Sequence, residues 1–190
     1  MKNKQRFLVV DTETGGLDPE QHSILSIAGV LWEPNGEIET LFNFYVNEPE
    51  LSYVSRAMEV NKIDINDVKA QGLTPKQSVL AIRASLDKVL GPKRRAIQLV
   101  AHNAPFDMGF IRRLYALAGE DFGKDFRNRA LDTCSILQFL MLSGKVSGYR
   151  ASGDVLFEAA GVKIDEKDRH TALGDAMATA KSINYLVNQF

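Results

Sequence analysis

Residues 7–17 read Phe7-Leu8-Val9-Val10-Asp11-Thr12-Glu13-Thr14-Gly15-Gly16-Leu17. The apolar run 7–10 has the character of a central strand buried on both faces, and it stops at Asp11, where polar and turn-forming residues take over. Side chains alternate along a strand, so Asp11 and Glu13 point to the same face, about 7 Å apart along the chain. Two carboxylates so placed repel each other. At the end of a buried strand they are costly unless a cation neutralises them, and Mg²⁺ and Mn²⁺ prefer such oxygen ligands. Taken alone, the pair would serve equally well as turn residues leading into Gly15-Gly16.

Beyond this stretch, the run 24–32 is a second strand, and the turn Pro34-Asn35-Gly36 leads to a third over 38–46, which makes the opening a three-stranded meander. The period then changes. Residues 55–63 and 74–90 have helical spacing, the latter opened by Thr74-Pro75 and closed by Gly91-Pro92. A short buried strand over 97–101 runs into His102-Asn103-Ala104-Pro105, and a helix over 106–118 follows, closed by Gly119. A fifth strand is expected at 130–131, with helices over 133–142, 154–160 and 172–187. Strands followed by strand–helix alternation indicate an α/β fold with a mixed sheet. The stretch 143–153, rich in glycine and serine, reads as a mobile loop.

The 190 residues suit one domain, 1–190, with 45% apolar and 25% charged residues, the balance of a soluble globular chain. Lys and Arg total 23 against 24 for Asp and Glu, so a polyanionic partner must be held by local charge. Cys134 is the single cysteine, which excludes an internal disulfide and suits a reducing compartment, with the cytoplasm as the expected location. The start MKNKQR followed by FLVV is too short an apolar run for a signal peptide, and no membrane span is expected.

Two further motifs carry acids. In His102-Asn103-Ala104-Pro105-Phe106-Asp107, Pro105 fits the first helical position and Asp107 the first turn, where the helix dipole favours negative charge with or without a metal. The strand before it delivers Asp107 to the carboxyl end of a sheet, where ligand sites of α/β folds gather. In His170-Thr171-Ala172-Leu173-Gly174-Asp175, positions five apart on one helix diverge by about 140°. For both to aim at one centre, His170 must precede the helix, with Thr171 as its N-cap and Asp175 in the first turn or so. The small residues Ala172, Gly174, Ala176 and Ala178 would let this helix approach the central strand closely.

Together, VVDTETGGLDP, VAHNAPFDMGF and HTALGDAMATA, in this order, closely resemble the three motifs of the DEDDh (DnaQ-like) 3′-to-5′ exonucleases, the group of polymerase III epsilon-type proofreading subunits and ribonuclease T-like trimming enzymes. The segment RAMEVNKI at 56–63 resembles the family's intervening helix, and the resemblance extends over roughly residues 7–187. It implies a ribonuclease H-like fold, with a mixed central five-stranded sheet flanked by helices, and two Mg²⁺ or Mn²⁺ ions. On that analogy Asp11 bridges both ions, Glu13 and Asp175 complete one site, and Asp107 supports the second. His170 is expected to be the general base, since imidazole titrates near working pH.

The resemblance also implies that the segment after the first motif, Thr14, Gly15, Gly16 and Leu17, holds the 3′ end. The glycines would permit close approach and Leu17 would wedge against a base. Phe106 is a candidate for base stacking or for the core, Phe110 is expected in the core, and Arg169 is expected to contact phosphate, with Tyr149 and Arg150 as further candidates. His22 and His102 are read as structural. Lys93-Arg94-Arg95 is read as a solvated turn away from the site, and Asp132 as the cap of a neighbouring helix. The expected substrate is a single-stranded DNA or RNA 3′ end, with DNA slightly favoured over RNA trimming, and a noncatalytic nucleic-acid-binding or polymerase-associated module is the reading from another class. The resemblance leaves room for a homodimer and for a polymerase or other replication or repair partner.

Overall fold

The computed structural model describes residues 5–189; residues 1–4, the start of the segment read against a signal peptide, lie outside them. Strand β1 (Phe7–Thr14) lies at the centre of a five-stranded sheet, flanked by β2 (Ile24–Trp32) and then β3 (Ile38–Tyr45) on one side, and by β4 (Gln98–Ala101) and then β5 (Leu131–Asp132) on the other. β1 pairs antiparallel with β2 and parallel with β4, and β4 is parallel to β5, so the sheet is mixed. This is the expected ribonuclease H-like arrangement.

β1 runs four residues beyond the apolar run that announces it. The reason is its neighbour: β2 is long enough to pair with it out to Glu13 opposite Ser26 and Thr14 opposite Ile24, so ladder hydrogen bonds carry polar side chains that the hydrophobic pattern alone would place in a turn. The acids therefore stand on regular strand. Their cross-strand neighbours are small, Ala28 opposite Asp11 and Ser26 opposite Glu13.

Alternation along β1 divides the core. Leu8 and Val10 face a layer formed by α3 (Pro75–Leu90) and α4 (Ala104–Ala118), where Ile82, Leu86, Phe110, Ile111 and Leu114 are buried. Phe7 and Val9 face α7 (Ala172–Leu186) through Ala172, Ala176, Ala180 and Ile183. Phe7 also stacks on Trp32, ring centroids 5.1 Å apart, and Trp32 Nε1 donates to Asn184 Oδ1 on α7 at 3.0 Å. A third cluster joins α5 (Thr133–Leu142), α6 (Gly153–Ala159) and the back of α7. Ala178 belongs to that third cluster and not to the strand-facing side, because it lies two residues, about 200°, round the helix from Ala176.

Two short helices precede α3: α1 (Ser55–Asn61) and α2 (Ile65–Gln71). The second had no sequence expectation, although Asp64 caps it by accepting from Asn66 N at 2.8 Å. Thr74 and Gln77 form a reciprocal capping box at the start of α3, as Thr74-Pro75 suggested. Arg94 does not sit in a solvated turn: its side chain is 6% exposed and forms ion pairs with Asp87 and Asp125. Asp125 also accepts from Arg83 and Tyr115, and this buried carboxylate explains why Arg94 turns inward while Lys93 and Arg95 stay exposed. Among the described residues no helix is long and apolar enough to cross a membrane.

Candidate active site

The carboxyl ends of β1 and β4 lie side by side, and the two helical layers reach over them from opposite faces of the sheet. Asp11 and Glu13 project from β1 on the face covered by α7. Asp175 meets them there from the first turn of α7, and one carboxylate oxygen of each of the three lies within 4.8 Å of the others. Thr171 is the N-cap of α7, its Oγ1 accepting from Gly174 N at 3.1 Å, so His170 lies just before the helix, as expected. Gly174 serves the same turn. A Cβ there would come within 2.0 Å of Asp168 O, so the residue admits the entering loop and not the central strand.

Asp107 arrives from the other layer and stays outside that triad. It is 3% exposed in the first turn of α4 and accepts a hydrogen bond from Thr12 Oγ1 at 2.9 Å. Thr12 alternates to the α4 side of β1, between the two acids of the first motif. Sequence reading left it out, although the alternation that pairs Asp11 with Glu13 also aims Thr12 at the helix carrying Asp107. The start of α4 is fixed by Asp132, whose Oδ1 accepts from Asn103 N at 2.9 Å and Ala104 N at 3.1 Å. The same carboxylate caps α5 through Cys134 N and Ser135 N, so the expected cap serves two helices. Asn103 is the N-cap of α4, which puts Ala104 at the first helical position and Pro105 at the second.

The electrostatics are those of crowded, buried carboxylates. Burial, followed by repulsion from Asp107, Glu13 and Asp175, raises the Asp11 carboxyl well above the ordinary range. Glu13 is pushed up to about 8 by burial and by Asp175 and Asp107. Asp107 rises to about 7 through burial, held back by hydrogen bonding from Thr12. Asp175 is raised by burial and pulled down by Arg169. Without an external cation, burial and mutual repulsion oppose ionisation of Asp11 and Glu13 most strongly. Asp175 Oδ1 is buried with no hydrogen-bond partner, which leaves its lone pairs free to meet a bound ion. Hard oxygen donors, close spacing and an unpartnered carboxylate oxygen together fit a divalent cation.

A cleft of about 1010 Å³ opens beside the acids; Glu13, Arg169 and His170 line it, and Lys62 and Lys181 add positive charge to its walls. His170 is exposed and has φ 60°, in the left-handed region, with its Nδ1 3.3 Å from Arg169 Nη1.

The segment after the first motif is used mainly by the chain itself. Thr14 Oγ1 donates to Gly16 O at 2.7 Å. A Cβ at Gly15 would lie 2.2 Å from Ser52 O, and one at Gly16 would lie 2.4 Å from the His22 ring, so both glycines are needed for internal packing. Leu17 stands out at 84% exposure. Phe106 is half-buried against the core with its ring 5.0 Å from that of Phe110, which is fully buried. Tyr149 is fully exposed in the 143–153 stretch. Arg169 Nη1 donates to Asp175 Oδ2 at 2.5 Å, so its charge is turned toward its own chain. His102 is structural, its ring bonded to Thr133 Oγ1 at 3.1 Å and Ala151 O at 3.0 Å, and His22 is packed against Gly16.

A central strand ending in two acids, with one acid added from each covering layer, is an arrangement of the kind that holds divalent cations in nucleases. The chain matches the exonuclease family, RNase_T, over residues 8–183 and belongs to it. It is 32% identical over 182 residues to a DNA polymerase III subunit epsilon-like protein of Rhodobacter capsulatus, an alignment covering 95% of this chain but only 23% of that protein. It is 27% identical over 201 residues to ribonuclease T of Shewanella sp. (strain W3-18-1), covering 100% of this chain and 86% of that protein. Among solved structures, E. coli exonuclease I in complex with a dT13 oligonucleotide shares the fold, with a TM-score of 0.73 at 17% identity, over 97% of this chain and 41% of that one.

Proposed function

We propose that this chain is a metal-dependent 3′-to-5′ exonuclease that releases nucleoside monophosphates from single-stranded ends, in a reducing compartment such as the cytoplasm. The observation that carries the reading is the meeting of Asp11, Glu13 and Asp175 within 4.8 Å, with Asp107 held behind them by Thr12.

Asp11, Glu13 and Asp175 would hold one divalent cation, Mg²⁺ or Mn²⁺, and Asp107 with Asp11 would support a second. When bound, such ions polarise the scissile phosphodiester and lower the pKa of the attacking water. His170, exposed at the mouth of the site, accepts the proton of that water as it attacks phosphorus and the bond to the leaving 3′ oxygen breaks. Leu17, exposed beside the first motif, supplies an apolar edge against the terminal base.

For the polymer, the greater identity to the epsilon-like protein favours DNA, and the near full-length match to ribonuclease T supplies the alternative of RNA 3′-end trimming. End-labelled DNA and RNA oligonucleotides with free or blocked 3′ termini, incubated with Mg²⁺, Mn²⁺ or EDTA, test both readings. Stepwise shortening from free 3′ ends, abolished by EDTA, is expected. Cleavage of blocked ends, or activity that survives EDTA, would remove the proposal.

A further inference from the structure

Arg169 lies at the junction of the site and α6. Its Nη1 donates to Asp175 Oδ2 at 2.5 Å, while Nη2 and Nε both donate to Asp154 Oδ1, at 2.8 and 3.1 Å. The guanidinium carbon is 5.5 Å from the centroid of the Phe157 ring, also on α6, within cation–π range. A planar fork is thus fixed at three points: one carboxylate in the site, one on the outer helix, and an aromatic face. The contrast within Asp175 is informative. Oδ2 is engaged by Arg169, whereas Oδ1 is buried and unpartnered, and one oxygen of this carboxylate lies within 4.8 Å of oxygens of Asp11 and Glu13. Carboxylates that bind metals are commonly held in this way, with a hydrogen bond on one oxygen turning the other toward the ion.

We propose that Arg169 is a positioning residue for metal binding: it is anchored by Asp154 and Phe157 and holds Asp175 so that Oδ1 faces the ion. Asp154 belongs to the same relay although it does not touch Asp175. Its side chain is 77% exposed, so by ordinary reckoning its ion pair would contribute almost nothing. Its value here is to aim the guanidinium.

This rests on the reading of Asp175 as a metal ligand, and the experiment separates the two. Mn²⁺ titration calorimetry is run on the metal-free full chain and on Asp11→Ala, Arg169→Ala, Arg169→Lys, Asp154→Asn and the Asp154→Asn/Arg169→Ala double variant, with circular dichroism confirming the fold of each. Asp11→Ala tests the ligand reading alone; retention of wild-type Mn²⁺ affinity there would overturn the metal site. With that site upheld, Arg169→Ala is expected to weaken Mn²⁺ binding by about 10- to 100-fold. Arg169→Lys should recover only part of the loss, because an ammonium group does not fork across two carboxylates. Asp154→Asn should weaken binding several-fold, and the double variant should be no worse than Arg169→Ala.

Tighter Mn²⁺ binding in Arg169→Ala would make the guanidinium an obstructing charge and overturn the positioning role. So would unchanged Mn²⁺ affinity accompanied by a weaker salt dependence of oligonucleotide binding, which would make Arg169 a phosphate contact. Additive losses in the double variant would break the relay by showing that Asp154 acts independently. Asp154 is exposed and its substitution leaves the core intact, so the outer half of the relay remains testable even if an Arg169 variant misfolds.

Discussion

Thr12 and Asp107 meet inside the protein, hydroxyl to carboxylate at 2.9 Å, on the side of β1 opposite to the one from which Asp11 and Glu13 project. The second acid motif is thereby fastened to the first through the one residue of Asp-Thr-Glu that is not acidic. Replacing Thr12 with valine keeps the shape and removes the donor. A hydrogen bond to a charged group contributes about 1.5–3 kcal/mol, and about 1.4 kcal/mol is tenfold in rate. Thr12→Val is therefore expected to lower kcat/KM about tenfold or more and to move the acidic limb of its pH profile upward, since the donor favours the ionised form of Asp107. An unchanged profile measured with an oligonucleotide and Mg²⁺ would mean that Asp107 is held by other means.

Stability without metal should depend on pH in a direction unusual for acidic groups. In the folded chain Glu13 keeps its proton up to about 8 and Asp107 up to about 7, against ordinary values of 4.5 and 3.8. Folding therefore takes up protons. The contribution of these groups is fully present below the ordinary values and is lost as pH rises through the folded ones. Thermal melts in EDTA should show a lower Tm at about pH 8.5 than at about pH 5.5, with a flatter profile for Glu13→Gln and recovery of the high-pH loss on adding Mn²⁺. A melt that is level across this window, or one that Mn²⁺ leaves unmoved, contradicts the account.

His170 combines an exposed imidazole with a left-handed backbone, φ 60°. His170→Ala should retain Mn²⁺ binding and lose turnover by about 10²- to 10⁴-fold, the usual worth of a general base. His170→Gly should be equally inactive but more stable than His170→Ala, by up to about 1 kcal/mol, because glycine adopts this backbone without strain. Urea denaturation compares the two, and a strong loss of Mn²⁺ binding in either would make the histidine a ligand.

Asp132 caps α4 and α5 together, and hydrogen bonds from Ser135, Ala104, Cys134 and Asn103 outweigh its burial to hold its carboxyl below the ordinary range. Losing an N-cap costs about 1 kcal/mol, so Asp132→Ala is expected to cost about 2 kcal/mol in urea unfolding, and to depress activity because Asp107 sits in the first turn of α4. The stabilisation should fade as pH falls through the lowered pKa, the opposite sense to Glu13.

The opening meander, the mixed character of the sheet, the helices other than α2 and the acids are legible in the sequence because each has a local signature: the apolar run before Asp11, the Thr74-Pro75 and Thr171 caps, and the carboxylates at strand and helix ends. What escaped depended on partners distant in sequence. The extension of β1 through Thr14 is imposed by the length of β2. Arg94 turned inward because Asp125, 31 residues away, is buried beneath it. Gly15 and Gly16 looked suited to a substrate and are needed against Ser52 and His22. Thr12 follows from strand alternation itself: the pattern that sets Asp11 and Glu13 on one face turns the residue between them to the other, toward α4.

The acids come from β1, α4 and α7, which lie on both sides of the sheet and are far apart along the chain. Of these segments α7 is synthesised last. A chain still emerging from the ribosome therefore lacks Asp175, and the three-carboxylate cluster closes only when α7 packs onto the sheet.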